Sequence, residues 1–249
     1  MAQADHFSRV ARAYAKFRPR YPDALFDFVA SIAPSRHLAW DAGAGSGQAT
    51  VPLIDRFRHV IGTDIAVEQI ARARHHVLIE WHATPAEDVP MIANATVDLV
   101  TVAQALHWFD HARFYAEVRR VAVPNGAIAA WTYGPPRIDG RVGEIVQRYM
   151  YDDVGPYWPP ERRHVHTEYR DIPFPFERIA APRLSLDADW PLEHLAGYLR
   201  SMSATGRYVK RHGTDPVVAV EPELREAWGT SATVRITWPL IVLAGKVSS

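Results

Sequence analysis

The feature that most constrains the fold is a short segment, residues 38–48, in which an apolar run ends in Asp41 and glycine follows at every second position. Because glycine adopts left-handed backbone conformations at little cost, Gly43, Gly45 and Gly47 predict a tight turn between a buried strand and a helix. Such a turn brings bare backbone close to a ligand. Amides at the helix start and the Asp41 carboxylate would face a small molecule with amine, carboxylate and hydroxyl groups.

The first half of the chain repeats a strand and helix pattern about five times. Apolar runs alternate with segments whose apolar residues recur at helical spacing, which is typical of crossover units in a parallel sheet. The five predicted strands are residues 37–40, 60–63, 79–82, 97–103 and 127–131, with a turn at 124–126. We therefore expect an α/β fold with a doubly wound, mainly parallel sheet.

The pattern changes after Trp131, where stretches rich in proline and aromatic residues predict a helical insertion. Helical spacing also precedes the first strand. The remaining predicted elements are helices over residues 7–17, 23–33, 49–57, 67–71, 114–121, 142–151, 192–208 and 222–227, a strand over 176–186, and a final strand within 233–247 that bends at Pro239.

Composition excludes several classes of protein. Lys plus Arg and Asp plus Glu both number 28, so the zero net charge disfavours nucleic acid or an anionic membrane as the partner. The absence of cysteine excludes disulfides, thiolate catalysis and cysteine zinc sites, and no metal site is predicted. No secretory leader or run long enough to cross a bilayer is present, so we expect a cytoplasmic protein. Oligomeric state is not indicated.

Acidic residues follow the next two predicted strands. Asp64 ends the second strand about 20 residues after the glycine turn, where an acid grips the two hydroxyls of a ribose in Rossmann-like sheets. The alternative role of Asp64 is to cap a helix N-terminus. Ala86 and Glu87 follow the third strand, in position to meet an adenine edge. The carboxyl ends of parallel strands share one rim, so these residues predict a single site.

These successive motifs resemble those of the class I S-adenosylmethionine-dependent methyltransferases. Their first motif is G-x-G-x-G, as here, rather than the G-x-G-x-x-G of nicotinamide enzymes. The match continues through residues 97–109 and 118–126, and covers residues 7–131, about half of the chain. Residues 7–22 resemble a subgroup similar to trans-aconitate methyltransferase and related small-molecule enzymes.

The resemblance implies a Rossmann-like, mainly parallel seven-stranded sheet within a single domain, residues 1–249. Its expected parts are N-terminal lid helices over 1–36, a cofactor-binding core over 37–133, the insertion over 134–175, and C-terminal strands and helices over 176–249. The implied reaction is methyl transfer from S-adenosylmethionine, leaving S-adenosylhomocysteine, to a small molecule with a carboxylate or hydroxyl. A non-catalytic protein that binds the cofactor, or a nicotinamide-dependent oxidoreductase, would be the alternatives.

The resemblance also implies which residues hold the cofactor. Asp41 would lie near the methionine amino group, Tyr14 and Arg18 would close from above, and Arg18 would pair with the methionine carboxylate. Ala103 and Gln104 would line the floor under the sulfonium. The full implied set is Tyr14, Arg18, Asp41, Gly43, Ala44, Gly45, Gln48, Asp64, Ile65, Ala86, Glu87, Ala103 and Gln104.

The acceptor side is expected at the ends of the fourth and fifth strands. His107, beside Trp108, is the candidate general base, and its alternative role is to orient the substrate or pack against the cofactor. Trp131 and Tyr133 would form a wall for the acceptor or, alternatively, pack at the rim of the sheet.

Overall fold

The computed structural model describes residues 17–247, which form two compact units. The sheet unit contains Tyr21–Gly134, Arg163–Ser185 and residues 239–247. The helical unit contains residues 17–20, Pro135–Arg162 and Leu186–Trp238. The single-domain organisation expected from the sequence stays a prediction, and the first lid helix, residues 7–17, lies almost wholly outside the described residues.

The described residues form eight strands: β1 Leu38–Ala42, β2 His59–Asp64, β3 Ile79–Ala83, β4 Val97–Ala103, β5 Ala122–Tyr133, β6 Glu177–Ile179, β7 Leu184–Trp190 and β8 Val234–Lys246. They pair in the order β3-β2-β1-β4-β5-β8-β6, and β7 pairs with β8. Strands β1 to β5 are parallel, and β8 runs antiparallel to β5 and β6. The five predicted parallel strands and the doubly wound α/β fold are confirmed.

The α-helices of the described residues are mostly short. They are α1 Asp23–Ser31, α2 Thr50–Leu53, α3 Val67–Ile70, α4 His111–Val121, α5 Gly140–Arg148, α6 Arg163–His166, α7 Leu192–Arg200, α8 Ser203–His212 and α9 Val217–Trp228. A π-helical turn, Tyr149–Asp153, follows α5, and a 3-10 turn, Leu106–Trp108, follows β4. None of the helices between residues 17 and 247 is both long and apolar enough to cross a membrane.

Helix α4 shows why these elements form where they do. Its N-terminus is capped by the Asp110 carboxylate, which accepts a hydrogen bond from the Arg113 amide at 3.2 Å. Phe114, Val118 and Val121 recur at helical spacing and are fully buried. Because every residue of β4 but the last is buried, the strand is covered on both faces, as expected for a parallel sheet between helices.

The order of the strands fixes the place of the site. Strands β1 to β3 follow one another toward one edge of the sheet, and β4 and β5 follow toward the other. The order of strands therefore reverses between β1 and β4, which are parallel neighbours although β2 and β3 lie between them in sequence. Ligands of open α/β sheets bind outside the carboxyl ends of the strands at such a reversal. A ligand site is therefore expected among the residues that follow β1, β2, β3 and β4.

Several sequence predictions were wrong in detail. The sheet has eight strands rather than seven, because the strand expected over 176–186 is two strands, separated by a segment containing Pro182, which has no amide to donate to a ladder. The helix expected over 192–208 is also two, α7 and α8. The turn expected at 124–126 lies inside β5 as an irregularity opposite Val97 and Leu99. Residues 134–175, expected to form one insertion, belong partly to each of the two units, and the insertion itself stays a prediction.

Candidate active site

The glycine turn adopts the conformation that its sequence predicts. Gly43, Gly45 and Gly47 have φ angles of +69°, +57° and +93°, all in the left-handed region. A Cβ added to Gly43 would lie 2.5 Å from the Ala105 Cβ, whereas one added to Gly45 would meet no atom within 4 Å. The turn is therefore tightly packed on one side and open at Gly45.

The indole of Trp81, on β3, lies against two glycines at once. A Cβ added to Gly47 would be 2.7 Å from this ring, and one added to Gly62 on β2 would overlap it. The indole Nε1 donates to the Arg74 carbonyl at 3.2 Å, which fixes the ring in place. Trp81 thus supports the glycine turn from β3.

Hydrogen bonds inside the protein already use several amides of the turn. The Ala44 amide donates to the Thr63 carbonyl at 2.9 Å, and the Gly45 amide donates to Asp64 Oδ2 at 2.8 Å. The helix expected over 49–57 is only the four-residue α2, in which Pro52 lies. Because so short a helix aligns few peptide dipoles, the expected attraction of a ligand by a helix start is not supported.

Asp41 is completely buried beneath the turn. Its Oδ2 accepts from the Thr50 hydroxyl at 2.6 Å and its Oδ1 from the Thr101 hydroxyl at 2.8 Å. Burial raises the pKa of Asp41 to about 6, although the two hydroxyls act to lower it and the nearby Asp64 charge adds to the rise. Asp41 ties the end of β1 to α2 and β4, and its contact with a methionine amino group stays a prediction.

Asp64 accepts two backbone hydrogen bonds at the end of β2. Its Oδ2 binds the Gly45 amide and its Oδ1 binds the Ala66 amide, each at 2.8 Å, the second closing a local turn just before α3. Each carboxylate oxygen has a second lone pair, so these bonds leave acceptor capacity for a ribose hydroxyl. This geometry is compatible with the ribose role expected for Asp64. The capping role is wrong, because the N-cap of α3 is Ala66 and no side chain caps that helix.

A cavity of about 260 Å³ lies next to Asp64 in the sheet unit. Ile65 is 75% exposed and Trp108 is 54% exposed, so two large apolar side chains face open space there. On the acidic side, Glu87 Oε1 accepts from the Asp110 amide at 2.8 Å. The lining residues are Gly43, Asp64, Ile65, Thr84, Pro85, Ala86, Glu87, Ala105, Trp108 and Phe109.

The structure thus brings together Gly43, Asp64, Ile65, Ala86 and Glu87 of the implied cofactor set, with Trp108 from the acceptor side. Other predicted residues are not part of this lining: Asp41, Ala44, Gly45, Gln48, Ala103, Gln104, His107, Trp131 and Tyr133. Their roles toward a ligand stay predictions.

Trp131 and Tyr133 are buried at the end of β5. Trp131 has no exposed surface and packs edge-on against Tyr21 and Phe26, with ring centroids 5.7 and 6.3 Å apart. Tyr133 is 4% exposed and lies 6.5 Å from the Tyr21 ring. This geometry fits the packing alternative, and contact of either ring with the acceptor stays a prediction.

Gln104, the first residue after β4, has a φ angle of +57°, unusual for a residue other than glycine. Its amide donates to the Trp131 carbonyl at 2.9 Å, and its side-chain Oε1 accepts from the Thr132 hydroxyl at 2.9 Å. The side-chain Nε2 is buried and meets no hydrogen-bond partner among residues 17–247. Ala103 precedes it and pairs with Trp131 in the sheet.

His107 is buried, and its Nδ1 lies 2.9 Å from the hydroxyl of Tyr169, which has no exposed surface. Tyr169 and the preceding Glu168 both have left-handed backbones, with φ angles of +59° and +56°. The sequence analysis missed Tyr169, which follows α6. No local motif marks it, because the pair joins residues 62 positions apart.

Two further residues of the expected cofactor set, Tyr14 and Arg18, lie near the N-terminus of the sequence. Tyr14 lies outside the described residues. Arg18 belongs to the helical unit, where its guanidinium lies 5.2 Å from the centre of the Tyr198 ring and donates to the Ser201 carbonyl at 3.4 Å. Closure over the cofactor by Tyr14 and Arg18 stays a prediction.

From residue 17 to residue 247, no group of three or more His, Cys, Asp or Glu side chains is placed to hold a metal ion. His164 instead bonds Asp171, with Nδ1 2.9 Å from the carboxylate.

Comparisons with known proteins give a consistent result. Residues 40–130 match the family model of the methyltransferase domain. A Dictyostelium discoideum protein, provisionally named a methyltransferase, is 33% identical over 97% of this chain and 95% of its own length. A Saccharomyces cerevisiae protein, provisionally named an S-adenosylmethionine-dependent methyltransferase, is 28% identical over 63% of this chain and 58% of its own.

One solved structure is similar over nearly the whole molecule. It is a protein from Anaeromyxobacter dehalogenans, provisionally named a type II methyltransferase, with 43% identity and a TM-score of 0.87. The likeness covers 93% of this chain and 99% of that one. Together with the G-x-G-x-G turn at the end of β1, these relationships show that the chain belongs to the class I S-adenosylmethionine-dependent methyltransferases.

Proposed function

We propose that this enzyme transfers the methyl group of S-adenosylmethionine to an oxygen, carboxylate or hydroxyl, of a small molecule. The observation that carries the proposal is the cavity at the ends of β1 to β3, together with the polar residues Gln104 and His107 that follow β4. The cavity has the features of a cofactor site. Gln104 and His107 offer polar side chains beside it.

The cavity fits the adenosine part of the cofactor. Its volume of about 260 Å³ is below the roughly 300–1,000 Å³ of pockets that take whole drug-sized ligands. Ile65 and Trp108 supply exposed apolar surface for an adenine, and Asp64 has acceptor capacity for ribose hydroxyls. The methionine part would then lie along the turn, where Gly45 leaves open space.

When bound, the cofactor supplies a methyl group on a sulfonium: the acceptor oxygen forms a bond to the methyl carbon while the carbon–sulfur bond breaks and its electron pair stays on sulfur. The residues of the chain have to exclude water and orient the acceptor. A carboxylate needs no base at neutral pH, whereas a hydroxyl must lose its proton during the reaction.

His107 is best suited to orient the acceptor. Its Nδ1 is engaged by the buried Tyr169 hydroxyl, which fixes the plane of the ring. The short Leu106–Trp108 turn places Trp108 beside it, with ring centroids 4.9 Å apart. With a carboxylate acceptor the residue needs only to position an oxygen, which agrees with the orienting alternative from the sequence.

A small acceptor is favoured over a nucleic acid because the net charge is zero and nucleic-acid binding depends strongly on positive charge. The subgroup similar to trans-aconitate methyltransferase and a cytoplasmic location are retained as part of the proposal. Cysteine-free composition supports the location.

The direct test is transfer of a labelled methyl group from S-adenosylmethionine to a panel of small carboxylic acids, phenols and alcohols, with amines as the comparison set. We expect turnover with members of the oxygen set and binding of S-adenosylhomocysteine by calorimetry. Turnover confined to amines would overturn the oxygen acceptor. Binding of S-adenosylhomocysteine without transfer to any member would favour the non-catalytic alternative.

A further inference from the structure

Gln104 combines a strained backbone with an unsatisfied buried hydrogen-bond donor, and both features are unfavourable for folding. Its backbone is left-handed, with a φ angle of +57°, a conformation that is strained for a residue with a Cβ. Its buried Nε2 lacks a partner among the residues that the structure describes, and an unsatisfied buried donor is itself destabilising. Strain and unsatisfied polar groups that coincide in this way are typical of ligand-binding positions.

The amide of Gln104 is held in a defined orientation. Thr132 is completely buried and donates its hydroxyl to Gln104 Oε1 at 2.9 Å. The backbone amide of Gln104 is fixed by its bond to the Trp131 carbonyl. Since Oε1 accepts from Thr132, the two N–H groups on Nε2 are directed away from this bond and have no acceptor among residues 17–247.

The position of Gln104 is also that of a ligand contact. It directly follows β4, beside the reversal of strand order where ligands of such sheets bind. The next residue, Ala105, lines the cavity and packs against Gly43 of the glycine turn. Gln104 itself is absent from the cavity lining, so its donor is placed next to the adenosine part of the site rather than in it.

We propose that Gln104 Nε2 donates a hydrogen bond to an oxygen of the methyl acceptor and thereby selects acceptors that carry such an oxygen. This inference rests on the proposed function and adds a residue that binds the acceptor. A sulfonium is a cation and accepts no hydrogen bond, so a donor under it would be mismatched. A protonated amine would likewise present donors to a donor, whereas a carboxylate or hydroxyl oxygen accepts.

The sharpest variant is Gln104→Glu, which keeps the size of the side chain and an oxygen for Thr132 but replaces the N–H donors by an oxygen. We expect the KM for the acceptor to rise at least about 10-fold, while the dissociation constant of S-adenosylhomocysteine changes by less than about 3-fold. Calorimetry gives the second value, and labelled methyl transfer gives the first. Thermal unfolding of the variant checks that it folds.

Thr132 provides an independent pair of variants. Thr132→Val removes the bond that orients the amide and should raise the acceptor KM in the same direction as Gln104→Glu, whereas Thr132→Ser keeps the hydroxyl and should restore it. A role in packing alone would lower the melting temperature without this difference in KM. This pair decides the question if Gln104→Glu fails to fold.

Two outcomes would overturn the inference. An affinity for S-adenosylhomocysteine that falls at least 10-fold in Gln104→Glu, with KM unchanged, would assign the amide to the methionine carboxylate of the cofactor. Unchanged values for both would make the amide an unsatisfied packing residue.

Binding of acceptors can be measured without turnover, which separates this inference from the proposed function. Ligand-observed NMR on the complex with S-adenosylhomocysteine should show that small carboxylates or phenols bind the wild type and that Gln104→Glu weakens this binding. If the wild type binds but does not transfer methyl groups, the proposed function fails and the role of Gln104 stands. If it binds none of these compounds, the role of Gln104 is wrong.

Discussion

The glycine turn, residues 43–47, and the segment after β4, residues 104–109, both contribute to the lining of one cavity but are built in opposite ways. In the turn, the left-handed positions are glycines, and the Ala44 and Gly45 amides bond within the protein. In the segment after β4, the left-handed residue is Gln104, and a buried donor on its side chain has no protein partner among the described residues.

One part of the site is therefore preformed, whereas the other has a polar group that a ligand would satisfy. The turn is satisfied by internal bonds, so it offers a fixed surface. The segment after β4 keeps an unsatisfied group that a ligand oxygen would complete. Variants in the turn should therefore change stability and cofactor affinity together, whereas Gln104 variants should change acceptor binding.

The largest effect is expected at the point where the two regions touch. Gly43→Ala places a methyl group 2.5 Å from the Ala105 Cβ and keeps a left-handed backbone, so we expect a loss of roughly 3–4 kcal/mol in unfolding free energy. Gly45→Ala has the backbone strain without the overlap and should lose only about 1–2 kcal/mol. Urea unfolding measures both, and equal losses would show that the contact with Ala105 is unimportant.

The next effect is a dependence of the protein's stability on pH, caused by the buried Asp41. The pKa of about 6 lies above the ordinary value of 3.8, so the folded state binds the proton more tightly than the unfolded state. The contribution of Asp41 to stability is therefore present below pH 4 and is lost as the pH rises to about 6. Across this window the free energy of unfolding falls by up to about 3 kcal/mol.

The variant Asp41→Asn carries no titrating group at this site. We expect the stability of Asp41→Asn relative to wild type to increase between pH 4.5 and about 6.5 and to level off above, measured by urea unfolding at each pH. Thr50→Val removes one bond that lowers the pKa and should move this window upward. A flat difference between Asp41→Asn and wild type would contradict the raised pKa.

Asp64→Asn tests whether the carboxylate that bonds the glycine turn also binds the ribose of the cofactor. The new amide nitrogen would face a backbone N–H of Gly45 or Ala66, so we expect affinity for S-adenosylhomocysteine to fall about 30-fold. Asp98→Asn is the matched control, because Asp98 accepts from the His37 and Leu38 amides at the other end of the sheet. It should lose stability and leave affinity unchanged; a similar loss of affinity in both would indicate a general effect of unfolding.

The smallest effect is expected for Ile65→Ala. Because Ile65 is 75% exposed, its truncation should change the unfolding free energy by less than about 0.5 kcal/mol. Affinity for S-adenosylhomocysteine should fall about 5- to 10-fold through lost apolar contact, as measured by calorimetry. Val77→Ala, at a 92% exposed residue outside the cavity lining, should change neither value. Unchanged affinity in Ile65→Ala would place the adenine elsewhere.

Features of the fold that depend only on neighbouring residues were predictable. The structural roles of the apolar runs of β1 to β5, of the alternating glycines and of Asp64 are each determined by residues close in sequence. The strand over 176–186 was wrong because one proline divides it. The short α2 was missed because helical spacing of apolar residues does not show where the backbone bonds stop.

Features that depend on distant partners were not predictable. The hydroxyls of Thr50 and Thr101 that hold Asp41 lie 9 and 60 positions away, and Tyr169 lies 62 positions from His107. Nor does the sequence around Gln104 indicate that Thr132 fixes its amide, because that contact depends on the pairing of β4 with β5.

The indole of Trp81 has a consequence for how related sequences vary. It lies against the Cα atoms of both Gly47 and Gly62, so neither glycine accepts a side chain while the tryptophan is present. A smaller residue at position 81 would remove the overlap at both positions, although a side chain at position 47 would still carry the strain of a left-handed backbone. We therefore expect the identities at positions 62 and 81 to vary as a correlated pair among relatives, with an exchange of Gly62 tolerated only after position 81 has changed, and glycine to be kept at position 47.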